Sequence, residues 1–234
     1  MIFGLIVAAG KGERMKQTQR KQYIRVGNCS IVGHTLAAFD ACDLIDTIYL
    51  IVPEEDLGYC RNQILPPLML QKTVICVPGG GERQISVYNG LKSMGGKPDD
   101  IVVIHDGVRP FVRPSHIAAS IEGAKKWGAC LLGIPVSDTL KRVDPSGFII
   151  GTVERAAVWV AQTPQAFRYG SILKAHEEAE IKGLTATDDA SLLELTGKSV
   201  RMVSGSRLNI KITTREDLIF ATALLSCQSS SARL

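Results

Sequence analysis

Short runs rich in Val, Ile and Leu recur along the chain, separated by stretches where apolar residues return every three or four positions. The runs predict strands at 2–8, 47–53, 73–78, 100–105, 129–135, 200–204 and 209–213. The periodic stretches predict helices at 31–41, 55–65, 82–94, 114–127, 169–182, 188–196 and 215–227. Most runs are continuously apolar, the pattern of strands covered on both faces. Such strands alternating with amphipathic helices predict an α/β fold, a doubly wound, mostly parallel sheet. Ligands of these sheets sit beyond the carboxyl ends of the strands, so the residues after each strand are the ones to weigh.

Segment 137–160 breaks the rhythm. Its central DPSG, flanked by TLKRV and FIIGTVER, predicts a projecting β-hairpin arm. A projecting, partly apolar arm calls for a partner surface. The Ser-rich end, 228–234, reads as a frayed tail, and the rest as a single domain spanning 1–234.

Composition narrows the class. With 234 residues, 45% of them apolar, the chain can bury a full core without covalent staples. A net charge of +4 is too mild to mark a nucleic-acid binder. The six cysteines form no CxxC pair, which suits reduced thiols in a cytoplasmic protein. The opening MIFGLIVAAG lacks the basic start of a secretion signal, and no run reaches the roughly 18 apolar residues of a membrane span. His34, His116 and His176 have no neighbours at metal-ligand spacing, so no protein metal site is expected.

Three loops carry the candidate chemistry. After the first strand, Ala8-Ala9-Gly10-Lys11-Gly12-Glu13-Arg14 offers backbone amides beside Lys11, Arg14, Lys16, Arg20 and Lys21, a setting for a polyanion. It is not a Walker A loop, and Lys16 stands where a dinucleotide fingerprint needs Gly or Ala. After the third strand, Gly79-Gly80-Gly81-Glu82-Arg83 opens a helix, a backbone surface against which a base can lie. After the fourth, His105-Asp106-Gly107-Val108-Arg109 sets an acid, suited to a hydroxyl or metal, near a phosphate-binding arginine. Thr187 reads by itself as a helix cap, and Lys211 as a water-facing strand residue.

In combination, AAGKGERM with Lys21, GGGER with Ser86, HDGVRP, DTLK, TVERAAVW, AQTPQAF, TDDAS and NIKIT resemble, in that order, the 2-C-methyl-D-erythritol 4-phosphate cytidylyltransferase family. The resemblance spans about residues 2–225. It implies a nucleotide-binding sheet, a homodimer clasped by the β-arm, and magnesium bound with CTP. It implies that Ala8, Ala9, Gly10 and Gly12 line the nucleotide, that Gly80 and Ser86 recognise cytosine, and that Arg14 and Lys21 stabilise the transition state. Asp106, Arg109, Thr139, Thr163 and Thr187, with Arg155 and Lys211 fixing the attacking phosphate, would hold methylerythritol phosphate. Three departures stand out: Arg20 where proline is frequent, Gly81 where aspartate is frequent, and HDGVRP for HDAARP. The first is expected to loosen the basic loop, the second to remove a side-chain contact to the base. The nearest alternative is a ribitol-5-phosphate cytidylyltransferase. A nicotinamide-dependent oxidoreductase and a sugar-nucleotide sensor are more distant ones.

Overall fold

The computed structural model describes residues 1–10 and 19–231, with side chains through 227. Gly12 and Arg14, both expected to meet the nucleotide, lie outside the described residues.

The strands are β1 (Ile2–Val7), β2 (Arg25–Val26), β3 (Cys29–Ser30), β4 (Thr47–Val52), β5 (Thr73–Pro78), β6 (Ile101–Asp106), β7 (Ala129–Pro135), β8 (Leu140–Val143), β9 (Ile149–Val153), β10 (Trp159–Arg168) and β11 (Arg201–Ser204). The helices are α1 (Ile31–Asp40), α2 (Leu57–Tyr59), α3 (Arg83–Met94), α4 (Pro114–Trp127), α5 (Tyr169–Lys182), α6 (Asp189–Leu195) and α7 (Arg215–Ser231). Seven strands form one sheet in the order β11-β7-β10-β6-β1-β4-β5. All its pairings are parallel except those of β10 with β6 and β7.

The continuous apolar runs have a direct cause. Along β6, Ile101 and Val103 enter one core while Val102 and Ile104 enter the other. Along β4, Ile48, Leu50 and Val52 alternate with Tyr49 and Ile51 in the same way. Leu36 and Phe39 of α1 and Ile117 and Ile121 of α4 close the first core. Val87 and Leu91 of α3 and Ile172 and Ala175 of α5 close the second. With both faces covered, no polar alternation survives in the sequence.

The chain winds outward from β1 through β4 to β5, then returns to place β6 on the other side of β1. That reversal is the topological switch point, and Val7 and Asp106 are register partners across it.

Four expectations need correction. Residues 209–213 do not form a strand; they run beside the β6 end as a connecting segment, tied by Ile212 N–H to Val108 O at 2.9 Å. The expected helix at 55–65 is an irregular run in which a 3₁₀ turn (Glu54–Asp56), α2 and a π turn (Cys60–Ile64) follow one another. The arm is shorter than 137–160. It is the β8–β9 hairpin, turning at Asp144–Gly147, while Trp159 and Val160 already pair with β7 in the main sheet. Finally, β10 is a strand where none was expected. Its pairing with β7 is interrupted between Ala161 and Gln165, around the cis Thr163–Pro164 peptide.

Candidate active site

Two cavities open at the switch point. One, of about 260 Å³, is lined by Ala8, Ala9 and Gly10 after β1, by Lys21 and Gln22, and by Gly80–Arg83 and Ser86 at the start of α3. The other, of about 240 Å³, is lined by Arg109, by Gln162, Thr163 and Gln165 of β10, and by Thr187 and Asp188 before α6. Arg83, Asp106 and Lys211 belong to both. The fold therefore brings together eleven of the residues singled out from sequence and splits them between two adjoining hollows. Thr139 and Arg155 line neither. Both are exposed at the base of the arm, where Arg155 Nη1 donates to Ser137 O.

The first cavity is built by glycine and serine. A Cβ on Gly79 would stand 2.5 Å from Ala9 Cβ, and one on Gly80 2.8 Å from Ile85 Cβ, so neither position accepts a side chain without movement. Ser86, 1% exposed, accepts the Gly80 N–H at 3.0 Å and donates to Glu82 O at 2.9 Å. Its hydroxyl thus folds the glycine turn. Across the cavity, Gln22 donates to Ala8 O at 2.8 Å.

Asp106 organises the junction. Its carboxylate, 8% exposed, meets Arg83 Nε at 3.1 Å, Lys211 Nζ at 2.9 Å and Arg109 Nε at 3.6 Å. Burial alone would raise its pKa, but Arg83, Lys211 and Arg109 hold it far below the ordinary carboxylate range. An acid so saturated with cations is a poor metal ligand. Among the described residues no group of His, Cys, Asp and Glu gathers to hold a metal ion.

Behind Asp106 the hydrogen bonds have a determined direction. Burial pushes His105 down to about 4, so its imidazole is neutral at neutral pH. Its Nε2 faces Arg109 O at 3.2 Å, which only accepts, so the proton sits on Nε2. Nδ1 then accepts the Thr163 hydroxyl at 2.9 Å, and that hydroxyl oxygen accepts the Asp106 N–H at 3.1 Å. Thr163 is 4% exposed, and its one proton is turned inward.

Sequence reasoning missed Arg83. It bridges Asp106 and the buried Asp189, whose Oδ2 lies 2.8 Å from Arg83 Nη2; burial lowers the guanidinium's pKa, and the two acids more than restore it, above its ordinary value. Asn209 was missed as well. It holds Thr163 O through Nδ2 at 2.8 Å, while its main-chain carbonyl accepts Arg109 Nη1 at 2.8 Å. The signal was present in GGGER and NIKIT, but only as motif neighbours. Thr187 does not cap α6: that cap is Asp188, which accepts Ser191 N–H at 2.9 Å. Nor does Lys211 face only water, since it reaches Asp106.

The comparisons with known proteins agree on one family. The family model for IspD, 2-C-methyl-D-erythritol 4-phosphate cytidylyltransferase, matches residues 2–227. The chain is 43% identical to the protein of that name from Pelotomaculum thermopropionicum over 228 residues, 97% of this chain and 95% of that one. It is 45% identical to the Syntrophotalea carbinolica protein over 224 residues, 96% of each. Among solved structures, 4-diphosphocytidyl-2C-methyl-D-erythritol synthase from Anaerococcus prevotii superposes with a TM-score of 0.82 at 32% identity, over 96% of each chain. The cytidylyltransferase from Thermus thermophilus gives 0.77 at 32% identity, over 96% of this chain and 98% of that one. With matches over nearly its whole length and a shared fold, the chain belongs to the IspD family of 2-C-methyl-D-erythritol 4-phosphate cytidylyltransferases.

Proposed function

We propose that this protein transfers a cytidylyl group from CTP to 2-C-methyl-D-erythritol 4-phosphate, releasing pyrophosphate, in non-mevalonate isoprenoid synthesis. The observation that carries the reading is that two cavities share one wall of Arg83, Asp106 and Lys211. A reaction joining two phosphates needs two pockets that meet where both anions arrive.

The nucleotide occupies the cavity under Ala8, Ala9, Gly10 and Gly80. Main-chain groups of the glycine turn read the cytosine edge, and Ser86 acts by shaping that turn. The acceptor occupies the second cavity, with Arg109, Thr187 and Lys211 around it. An oxygen of its phosphate attacks the α-phosphorus of CTP in line; the new P–O bond forms as the bond to pyrophosphate breaks. The nucleophile is already an anion, so no general base is required. The barrier is the approach of two anions, and it falls through positioning and charge compensation. Lys21 and Arg14 serve the charge on the α-phosphate and the leaving group. Lys211 and Arg155 fix the attacking phosphate. Asp106 gathers the cations without meeting phosphate, and Thr163 aims Asp106.

Magnesium enters with the triphosphate as part of the substrate, held through phosphate oxygens. The described residues supply no cage of their own for it.

The arm joins two copies into a homodimer. Phe148, Ile149 and Ile150 are 72%, 64% and 61% exposed in the single chain, which supports a second copy as their cover. Among the described residues no helix is long and apolar enough to cross a membrane. The six free thiols fit a cytoplasmic, reducing setting.

The test is pyrophosphate release from CTP with methylerythritol phosphate, with ribitol 5-phosphate, and with neither. Release with the first alone is expected. Release that favours ribitol 5-phosphate would reassign the acceptor, and release with neither would refute the transfer.

A further inference from the structure

Lys21 opens a short 3₁₀ turn, Lys21–Tyr23, that is fastened on two sides. Toward β1, Gln22 donates to Ala8 O at 2.8 Å and approaches Gly10 O at 3.3 Å. On the other side, Tyr23 Oη donates to Asp56 Oδ2 at 3.0 Å, and its buried ring meets Tyr59 edge-on at 5.2 Å. Burial, with Cys60 and Asp56 alongside, keeps the Tyr23 phenol protonated well above its ordinary range, so it remains a donor. The same Asp56 oxygen receives Arg20 Nε at 3.0 Å, and Glu55 takes Arg20 Nη2. The residue before Lys21 and the second residue after it are therefore tied to one short segment following β4.

Arg20 does not line the first cavity. Lys21 and Gln22 line the first cavity, whereas Arg20 lines a separate surface hollow with Gln19, Tyr23, Asp56 and Tyr59. Its side chain is 25% exposed and that of Asp56 16%, so the pair is partly shielded from water. A guanidinium directs separate donors to two carboxylates, which an ammonium does less well. The backbone at Arg20 has φ −62° and ψ 135°. That φ is the one a proline ring enforces. An ion pair here supplies the restraint that a proline ring would supply covalently.

We propose that Arg20 is a positioning residue for the reaction: it acts through Asp56 and Glu55, not through the triphosphate, to hold the Lys21 turn against the nucleotide cavity. The role in catalysis rests on the function proposed above; the clamp itself does not.

The experiment compares Arg20→Ala, Asp56→Ala, the double variant and Arg20→Pro by kcat, by KM for CTP, and by hydrogen exchange at the Tyr23 and Ile24 amides. Those amides donate to Arg20 O and Lys21 O and so report the turn directly. Each alanine variant is expected to lower kcat roughly tenfold, less than the ~10² that a 1 Å misplacement can cost. KM for CTP stays within about twofold, since no triphosphate contact is lost. The double variant is expected to be no worse than Asp56→Ala, exchange to quicken in all three, and Arg20→Pro to recover kcat. A raised KM for CTP in Arg20→Ala, with Asp56→Ala unaffected, would overturn the proposal in favour of a direct triphosphate contact. Failure of proline to rescue would also overturn it. Should the wild type transfer no cytidylyl group, exchange still decides: unchanged amides remove the clamp, and quickened ones keep it while the reaction assignment falls.

Discussion

Lys211 Nζ lies 2.9 Å from Asp106 Oδ2, on the wall that the two cavities share. The pairing gives the ammonium a fixed place while leaving its side chain 39% exposed, open to an incoming anion. A lysine held in this way can meet an anion from either cavity, and the function proposed above assigns it to the acceptor.

Lys211→Ala is accordingly expected to raise KM for the acceptor by roughly tenfold or more, the loss of one charge-assisted contact. KM for CTP is expected to change little. Steady-state kinetics with each substrate varied in turn checks this; a defect confined to CTP would reverse the assignment of the two cavities.

The glycine turn makes a second, paired prediction. A Cβ at Gly80 collides with Ile85, whereas one at Gly81 meets nothing within 4 Å. Gly80→Ala must shift the loop that lines the first cavity, proposed above to hold the base, so kcat/KM for CTP is expected to fall about tenfold or more, at ~1.4 kcal/mol per factor of ten. Gly81→Ala is expected to be close to neutral. Equal losses in the two variants would show that close backbone approach at Gly80 is not what the turn provides.

These loops also show what the sequence made legible. The strands at 2–8, 47–53 and 100–105 were readable because both faces are buried and nearly every position is apolar, and the edge strand at 73–78 because its Val-Ile-Cys-Val run is apolar although partly exposed. By contrast, β10 was hidden: Gln162, Thr163 and Gln165 are polar, yet 5%, 4% and 1% exposed, because each is spent on hydrogen bonds behind the site. NIKIT misled in the opposite sense. Its apolar-polar alternation mimics a strand, but Asn209 is buried to hold Thr163 and Arg109, and Lys211 turns to Asp106. Period-two patterns record which side of a segment is buried and not whether a neighbouring strand exists. The double bridge of Arg83 was invisible for a different reason, since Asp106 and Asp189 become its neighbours only after β6 and α6 have docked.

The buried imidazole sets a pH dependence. His105 titrates near 6.5 when unfolded and is pushed down to about 4 when folded, chiefly by burial. Between those values the unfolded chain binds more protons, so its stability falls as pH drops from about 6.5 to about 4 and is fully retained above. Asp106, held below its ordinary value, adds a further loss at still lower pH. Thermal unfolding midpoints measured across pH 4–7 should show the first decline in the wild type and a flatter profile in His105→Gln. An unchanged slope in that variant would remove His105 as the cause.

The arm provides the last test, because Thr139 and Arg155 reach neither cavity of their own chain while Phe148 and Ile150 stand exposed. If the arm crosses to a second copy, those residues complete the neighbour's site. Phe148→Asp combined with Ile150→Asp is then expected to yield a monomer by light scattering, with activity lowered along with the dimer. A mixing experiment separates a catalytic contribution from mere assembly. Arg155→Ala and Lys21→Ala are each expected to be nearly inactive alone. When subunits exchange at equal concentration, half of the dimers carry one chain of each kind. If Arg155 serves the partner's site, both defects fall in one site of each mixed dimer and the other site is intact, restoring about one quarter of wild-type activity. If Arg155 serves its own chain, every site keeps one defect and mixing restores nothing.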